Sequence, residues 1–280
     1  MSSLPVSFLS DFGHDDEFVG VVHGVIARLA PEVRVIDIGH EFPRGAIQSA
    51  ALGLVRAIQY LPEGVALVVV DPGVGTERPA IAARTPWGVF VGPDNGVLAP
   101  AVAMMGGADL IVSIENPEYL LPAQGDTFHG RDVFAPAAAV LASGEADIVD
   151  LGPEVDQETV VPMILPLVER DSFGAINSEV LWIDHFGNAQ TNATPDDLVG
   201  VGLEPRADIG LAIGGAEQRV PWVEAYAHVP HGEALVHVDS YGQITLAVRD
   251  GRADEAFGVE LGSHVSFRRP DGERLQIVSE

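Results

Sequence analysis

A chain of 280 residues is long for one hydrophobic core, so it predicts a large domain followed by a smaller one, and 47% hydrophobic residues suffice to fill both. A formal charge of -26, with every one of the 15 basic residues an arginine, argues against nucleic acid or an anionic membrane as partner and removes lysine chemistry of the Schiff-base and P-loop kinds. The absence of cysteine excludes disulfides, thiolate metal sites and a cysteine nucleophile, and no apolar run approaches the ~20 residues of a membrane span.

Met1-Ser2-Ser3-Leu4-Pro5 lacks the basic and apolar regions of a signal peptide, so a cytoplasmic location is expected. Residues 6–9 predict a short apolar strand. Residues 16–29 predict a helix, with Phe18, Val21, Val22, Val25, Ile26 and Leu29 at helical spacing. The alternation repeats: a strand at 33–38, a helix at 46–60, a buried strand at 65–70, a hairpin at 81–91 turning at Pro86-Trp87-Gly88, a helix at 97–105, a strand at 110–114 and a helix at 133–142. Strands this apolar are covered on both faces, which predicts an N-terminal α/β domain with a mostly parallel sheet over residues 1–160. Prolines such as Pro162 and Pro166 mark 161–173 as a linker. Over 174–280, short runs with glycine turns at 179–184, 209–213, 234–238, 244–248, 264–267 and 275–278 predict a smaller C-terminal β barrel domain.

Candidate chemistry falls on the loops. In Ser10-Asp11-Phe12-Gly13-His14-Asp15-Asp16 a strand gives way to a helix, and the Asp11 carboxylate is placed to accept two hydrogen bonds from a ribose diol. Asp15 and Asp16 read equally well as caps of the following helix. His14 with these aspartates suggests a metal site, but adjacent residues on an extended turn rarely converge on one ion, so no metal is predicted. In Asp71-Pro72-Gly73-Val74-Gly75-Thr76-Glu77-Arg78, Asp71 directly follows an apolar run and would be poorly solvated unless paired, and Arg78 can pair with it in bidentate form. His129, between Phe128 and Gly130, reads alone as a structural histidine. Beside an Asp and an Arg it becomes a candidate to orient and deprotonate water. Gly92-Pro93-Asp94-Asn95-Gly96 reads as a turn. Asp184-His185-Phe186-Gly187-Asn188 and Asp239-Ser240-Tyr241-Gly242 end strands with polar groups beside rings; they are either ordinary turns or contacts for an amino acid or a base edge.

In this order the segments resemble the S-adenosylmethionine hydrolase family, also called S-adenosylmethionine hydroxide adenosyltransferases, relatives of fluorinases and chlorinases. The resemblance runs from Ser10-Asp11-Phe12-Gly13 to Ser240-Tyr241-Gly242 and Leu261-Gly262. It implies an α/β domain joined to a β barrel, S-adenosyl-L-methionine as the small-molecule substrate, no cofactor, and a homotrimer whose active sites lie at subunit interfaces. It places the family's water-activating triad on Asp71, Arg78 and His129 and its ribose-binding aspartate on Asp11. Asp16 and Asp184 would face the methionine ammonium, Ser240 with Tyr241 its carboxylate, and Phe186 with Asn188 the adenine. Halogenating relatives carry Tyr at position 71, and Gly130, in the substrate-binding set, replaces the serine that contacts fluoride; both differences favour water over halide. Tyr241 stands where the fluorinase has Arg. The implied reaction is hydrolysis to adenosine and L-methionine, with a halide-using adenosyltransferase or a non-catalytic nucleoside-binding protein as alternatives.

Overall fold

The computed structural model describes residues 3–270. By its internal contacts the chain divides between Ile164 and Leu165 into two units. Unit 1 contains, in chain order, β1 (Val6–Ser10), α1 (Phe18–Leu29), β2 (Val35–Gly39), α2 (Ile47–Ile58), β3 (Gly64–Val69), β4 (Ala80–Arg84), β5 (Gly88–Pro93), α3 (Ala99–Met104), β6 (Leu110–Ser113) and α4 (Ala135–Ser143). Its six-stranded sheet has the order β2-β1-β3-β5-β4-β6. The first four strands run parallel, whereas β4 is antiparallel to both β5 and β6. The sheet is therefore mixed, with a parallel half and an antiparallel edge, because β4 and β5 are joined by a turn too short for a crossover. That turn closes with paired hydrogen bonds between Thr85 and Gly88.

Burial on both faces explains the apolar strands. Along β3 and its extension, Val65, Leu67 and Val69 enter a core shared with α1 and α4, while Ala66, Val68 and Val70 enter a second core shared with α2 and α3. The period of two thus sends alternate residues into opposite layers, and neither face is left for polar side chains. Helix α4 is almost entirely buried and rich in alanine, which lets it pack closely on the sheet and on α1.

Unit 2 contains β7 (Glu169–Arg170), β8 (Ile176–Ile183), β9 (Ala189–Thr191), α5 (Pro195–Val199), β10 (Asp208–Ile213), β11 (Ala216–Pro221), β12 (Ala234–Val238), β13 (Ile244–Val248), α6 (Ala253–Phe257) and β14 (His264–Arg268). The antiparallel order is β11-β10-β14-β8-β9-β13-β12, with β7 adding to β8 from within the stretch expected to link the domains. A bridge between Trp222, just past β11, and Val236 of β12 draws the two ends together into a nearly closed barrel. Its core holds Val180, Leu211, Trp222, Val236, Leu246 and Phe267. The strand expected at 275–278 lies outside the described residues. Among the described residues no helix is long and apolar enough to cross a membrane.

The β3–β5 pairing sets a sharp steric condition. Gly88 has φ +152°, and a Cβ there would stand 2.2 Å from the Gly64 carbonyl oxygen. Gly88→Ala should therefore lower the stability of unit 1 by about 1–3 kcal/mol through overpacking and backbone strain. Urea denaturation of the full chain, monitored by a probe in each unit, measures that loss.

Candidate active site

Polar groups begin where the parallel strands end. Asp11 follows β1, Asp71 lies two residues past β3 and Asp94 follows β5, so neighbouring strands deliver three aspartates to the same carboxyl edge of the sheet. That edge is where open α/β sheets place their ligands.

Arg78, just before β4, organises this edge. Its Nε donates to Asp71 Oδ1 at 3.0 Å and its Nη2 to Asp71 Oδ2 at 2.5 Å. The pair is buried, with side-chain exposures of 9% for Arg78 and 5% for Asp71. Nη2 also donates to His129 Nδ1 at 3.1 Å, and Nη1 to the Pro79 carbonyl at 2.5 Å. The Phe134 ring lies under the guanidinium at 5.5 Å. A guanidinium has no acceptor, so His129 Nδ1 must be the acceptor of this bond and the imidazole proton must sit on Nε2. His129 therefore offers an N–H donor on its free side.

The loop that carries Asp71 and Arg78 is tight. Val74 N–H bonds to the Asp71 carbonyl, and Thr76 Oγ1 donates to the Gly73 carbonyl at 2.6 Å. Gly75 adopts φ +76°, and a Cβ on it would stand 2.9 Å from the Asp126 carbonyl oxygen. Asp11 accepts the Gly45 N–H on Oδ2 at 2.7 Å. A Cβ on Gly45 would in turn touch Pro72, so the Asp11 and Asp71 loops are neighbours. Asp16 and Asp15 are exposed, and the helix they precede has Glu17 at its N-cap, with no side-chain cap hydrogen bond. Neither aspartate is spent on capping. Gly130 is buried and opens a π-helical turn, Gly130–Phe134; a Cβ on it would come within 3.0 Å of Phe12 and 3.3 Å of Phe128. His14 lies edge-on to His40 with ring centres 5.3 Å apart.

Asp94 reads as a turn residue in sequence, and its place beside this cluster was not foreseen. Its N–H donates to the Pro79 carbonyl that also receives Arg78, and its carboxylate accepts the Val161 N–H at 2.9 Å. Burial pushes this carboxyl above the usual range, against the pull of the Val161 N–H and the Arg78 charge.

In unit 2, Asp184, Asn188, Ser240 and Tyr241 line one cavity of about 330 Å³, whereas Phe186 is 73% exposed and stands outside its lining. Asp184 accepts the backbone N–H of Phe186 and Asn188 and the Asn188 side-chain amide. Asp239 buttresses the opposite loop by accepting from Tyr241 N, Gln243 N, Thr245 Oγ1 and the Gln190 amide. Trp182, Gln190, Tyr226 and His237 also line it and were not singled out in sequence, because each sits in a strand or a short 3-10 turn without a local motif. Burial, then the charges of Asp184 and Asp239, push the Tyr226 phenol up.

Comparison with known proteins shows the same division. Residues 6–152 match the SAM hydroxide adenosyltransferase N-terminal domain and residues 178–266 its C-terminal domain. A protein of Salinispora tropica named (R)-S-adenosyl-L-methionine hydrolase is 45% identical over 93% of this chain and 96% of its own. A fluorinase of an Actinoplanes species is 24% identical over 86% of this chain and 90% of its own. A crystal structure of a conserved protein from Thermotoga maritima has a TM-score of 0.85 at 34% identity, covering 94% of this chain and all of that one.

The Arg78 contact fixes a tautomer, which NMR can read. The neutral His129 ring should carry its proton on Nε2, and Arg78→Lys, with no fork to span Asp71 and His129 together, should abolish that preference. A dominant Nδ1–H form in the intact protein would contradict the hydrogen bond.

Proposed function

The chain belongs to the SAM hydroxide adenosyltransferase family, and we propose that it cleaves S-adenosyl-L-methionine with water, giving adenosine and L-methionine. The observation that carries this reading is the buried Arg78 guanidinium, which holds Asp71 with two nitrogens and His129 with one. In this reading the water oxygen attacks C5′ of the ribose in line with the departing sulfur. The new C–O bond forms as the C5′–S bond breaks, and the electron pair leaves with sulfur as the neutral thioether of methionine.

The sulfonium needs no acid to depart, so the demand falls on the nucleophile. Water is a poor one until its proton leaves or positive charge stabilises the hydroxide that forms. Arg78 supplies the charge and His129 Nε2–H donates to the attacking oxygen. Asp71 aligns both and is the acceptor for the proton. His129 thus orients water instead of deprotonating it, since its other nitrogen is already engaged by Arg78.

Substrate alignment is the second contribution, worth about 7–11 kcal/mol at best when both reacting groups are held in line. Asp11 takes the ribose diol and Asp16 the methionine ammonium. Asp184 shares the ammonium, Ser240 with Tyr241 takes the carboxylate, and Phe186 with Asn188 takes the adenine. These last contacts come from a neighbouring copy in a homotrimer, which together with a cytoplasmic setting forms part of the proposal. Sedimentation equilibrium should then give three times the chain mass.

Incubation with S-adenosyl-L-methionine in ¹⁸O water should place the label on the 5′ oxygen of adenosine; label elsewhere would rule out attack at that carbon. Asp71→Ala and His129→Ala should keep adenosine binding yet lower kcat by about 10²–10⁴-fold, the usual worth of a positioned acid–base group. Chloride should yield no chlorinated nucleoside, and its appearance would favour the halide-using alternative.

A further inference from the structure

We infer that His40 is a positioning residue for Asp11, gripping the chain on both sides of that carboxylate so that it is preset for the two hydroxyls of a ribose. The inference rests on the proposed function in one respect, the assignment of the ribose diol to Asp11.

The grip begins with an irregularity in the sheet. Phe8 pairs with Asp37 but Leu9 with Gly39, so Ile38 is an extra residue in β2. Such a bulge bends the strand and re-aims the residues just beyond it. His40 is then turned beneath the end of β1, where its side chain is 1% exposed and its ring lies 4.6 Å from that of Phe8. Ser10, fully buried, is 2.7 Å from His40 Nδ1; on the far side, His40 Nε2 is 3.1 Å from Asp37 Oδ1. The same Asp37 oxygen takes His23 Nε2 at 2.8 Å.

Donor and acceptor roles are set by chemistry. The Asp37 carboxylate only accepts, so His40 carries its proton on Nε2 and receives the Ser10 hydroxyl on Nδ1. Burial pushes His40 below the ordinary imidazole range, although Asp37 pulls it the other way, which agrees with a neutral ring. For Asp37 itself burial acts upward, and the hydrogen bonds from His23 and His40 outweigh it.

Asp11 lies between two anchor points of this one residue. On one side Ser10 is bonded to the His40 ring and receives the Phe12 N–H at 3.4 Å; on the other, Gly13 N–H donates to the His40 carbonyl at 2.7 Å, with Gly13 at φ +70°. The Asp11 side chain is then met by Gly45 N–H on Oδ2, which leaves Oδ1 without a hydrogen bond among the described residues. Ser10, His40 and Asp37 share the connectivity of a nucleophile triad, yet the serine is sealed inside the strand, so no substrate reaches it. Orientation is the role that this burial permits.

Calorimetry with adenosine and with 2′,3′-dideoxyadenosine, on the full chain, separates orientation of Asp11 from general support of the fold. His40→Ala should weaken adenosine binding by about tenfold, the order of one lost hydrogen bond to a charged group, while dideoxyadenosine changes by less than about twofold. Asp37→Asn, on a half-exposed side chain that the fold tolerates, should act in the same direction and carries the test if His40→Ala does not fold. His40→Asn, which offers Oδ1 where Nδ1 stands, should recover most of the loss. Equal weakening of both ligands, or of neither, overturns the positioning role. Equal binding of both ligands by the unaltered protein instead overturns the assignment of the diol to Asp11, and the role with it. Absence of hydrolysis with discrimination intact removes only the reaction.

Discussion

A guanidinium buried against a carboxylate is costly unless nearly every donor and acceptor is used, and the edge of unit 1 is built around meeting that condition. Arg78 and Asp71 are both about nine-tenths buried or more, and they meet through two nitrogens and two oxygens. Removing such charges from water forfeits several kcal/mol of solvation each, which close bidentate contact offsets and a single contact does not. Of the three remaining guanidinium hydrogens, one goes to the Pro79 carbonyl and one to His129. Because arginine stays charged under all ordinary conditions, its demand for acceptors propagates outward and fixes the imidazole's proton.

The sheet explains why these charges gather where they do. Residues of β1, β3 and β5 alternate between two apolar cores, so a charged side chain has no place until the strand ends. The ends of three adjacent parallel strands then lie side by side, and each releases an aspartate there. The antiparallel β4 matters equally, for it starts at this edge, so that the loop before it sets Arg78 seven residues after Asp71 directly across from it. Neighbouring groups therefore come from a loop, a strand end and a helical turn, the last carrying His129 on a π-type start to α4.

Much of this was legible in sequence, for identifiable reasons. The uninterrupted apolar run before Asp71 showed a buried strand, and a carboxylate directly after it implied a partner. Arg78 was the nearest cation. His129, fifty-one residues from Arg78, was suggested by family resemblance and by its place before a helix, because periodicity carries no information about contacts at that separation. Strand β11, with Glu217, Gln218 and Arg219 exposed at the barrel's edge, shows no apolar alternation to read, and β9 is only three residues long. The antiparallel turn of β4 against β5 was visible as a hairpin, but its effect on the sheet as a whole was not. Asp94 looked like an ordinary turn residue because the Pro-Asp-Asn-Gly pattern accounts for it locally; its role beside Pro79 and Arg78 exists only once β4 and β5 are paired.

The charge balance at this edge bears on the choice between water and halide as nucleophile. Three strand ends contribute Asp11, Asp71 and Asp94, and Arg78 sets its guanidinium against Asp71. A halide would have to shed its hydration and enter as an anion beside Asp71, where repulsion in a low-dielectric setting is strong. Water enters neutral. In the proposed reaction its negative charge develops only as the C–O bond forms, next to the Arg78 and His129 donors and to a sulfonium of opposite sign, while the proton moves to the Asp71 carboxylate. At Gly130 the rings of Phe12 and Phe128 stand 3.0 and 3.3 Å from where a Cβ would lie, so a hydroxyl-bearing side chain there would need them to give by a few tenths of an ångström. The electrostatics of the proposed site thus favour a nucleophile that arrives uncharged and is activated where it stands.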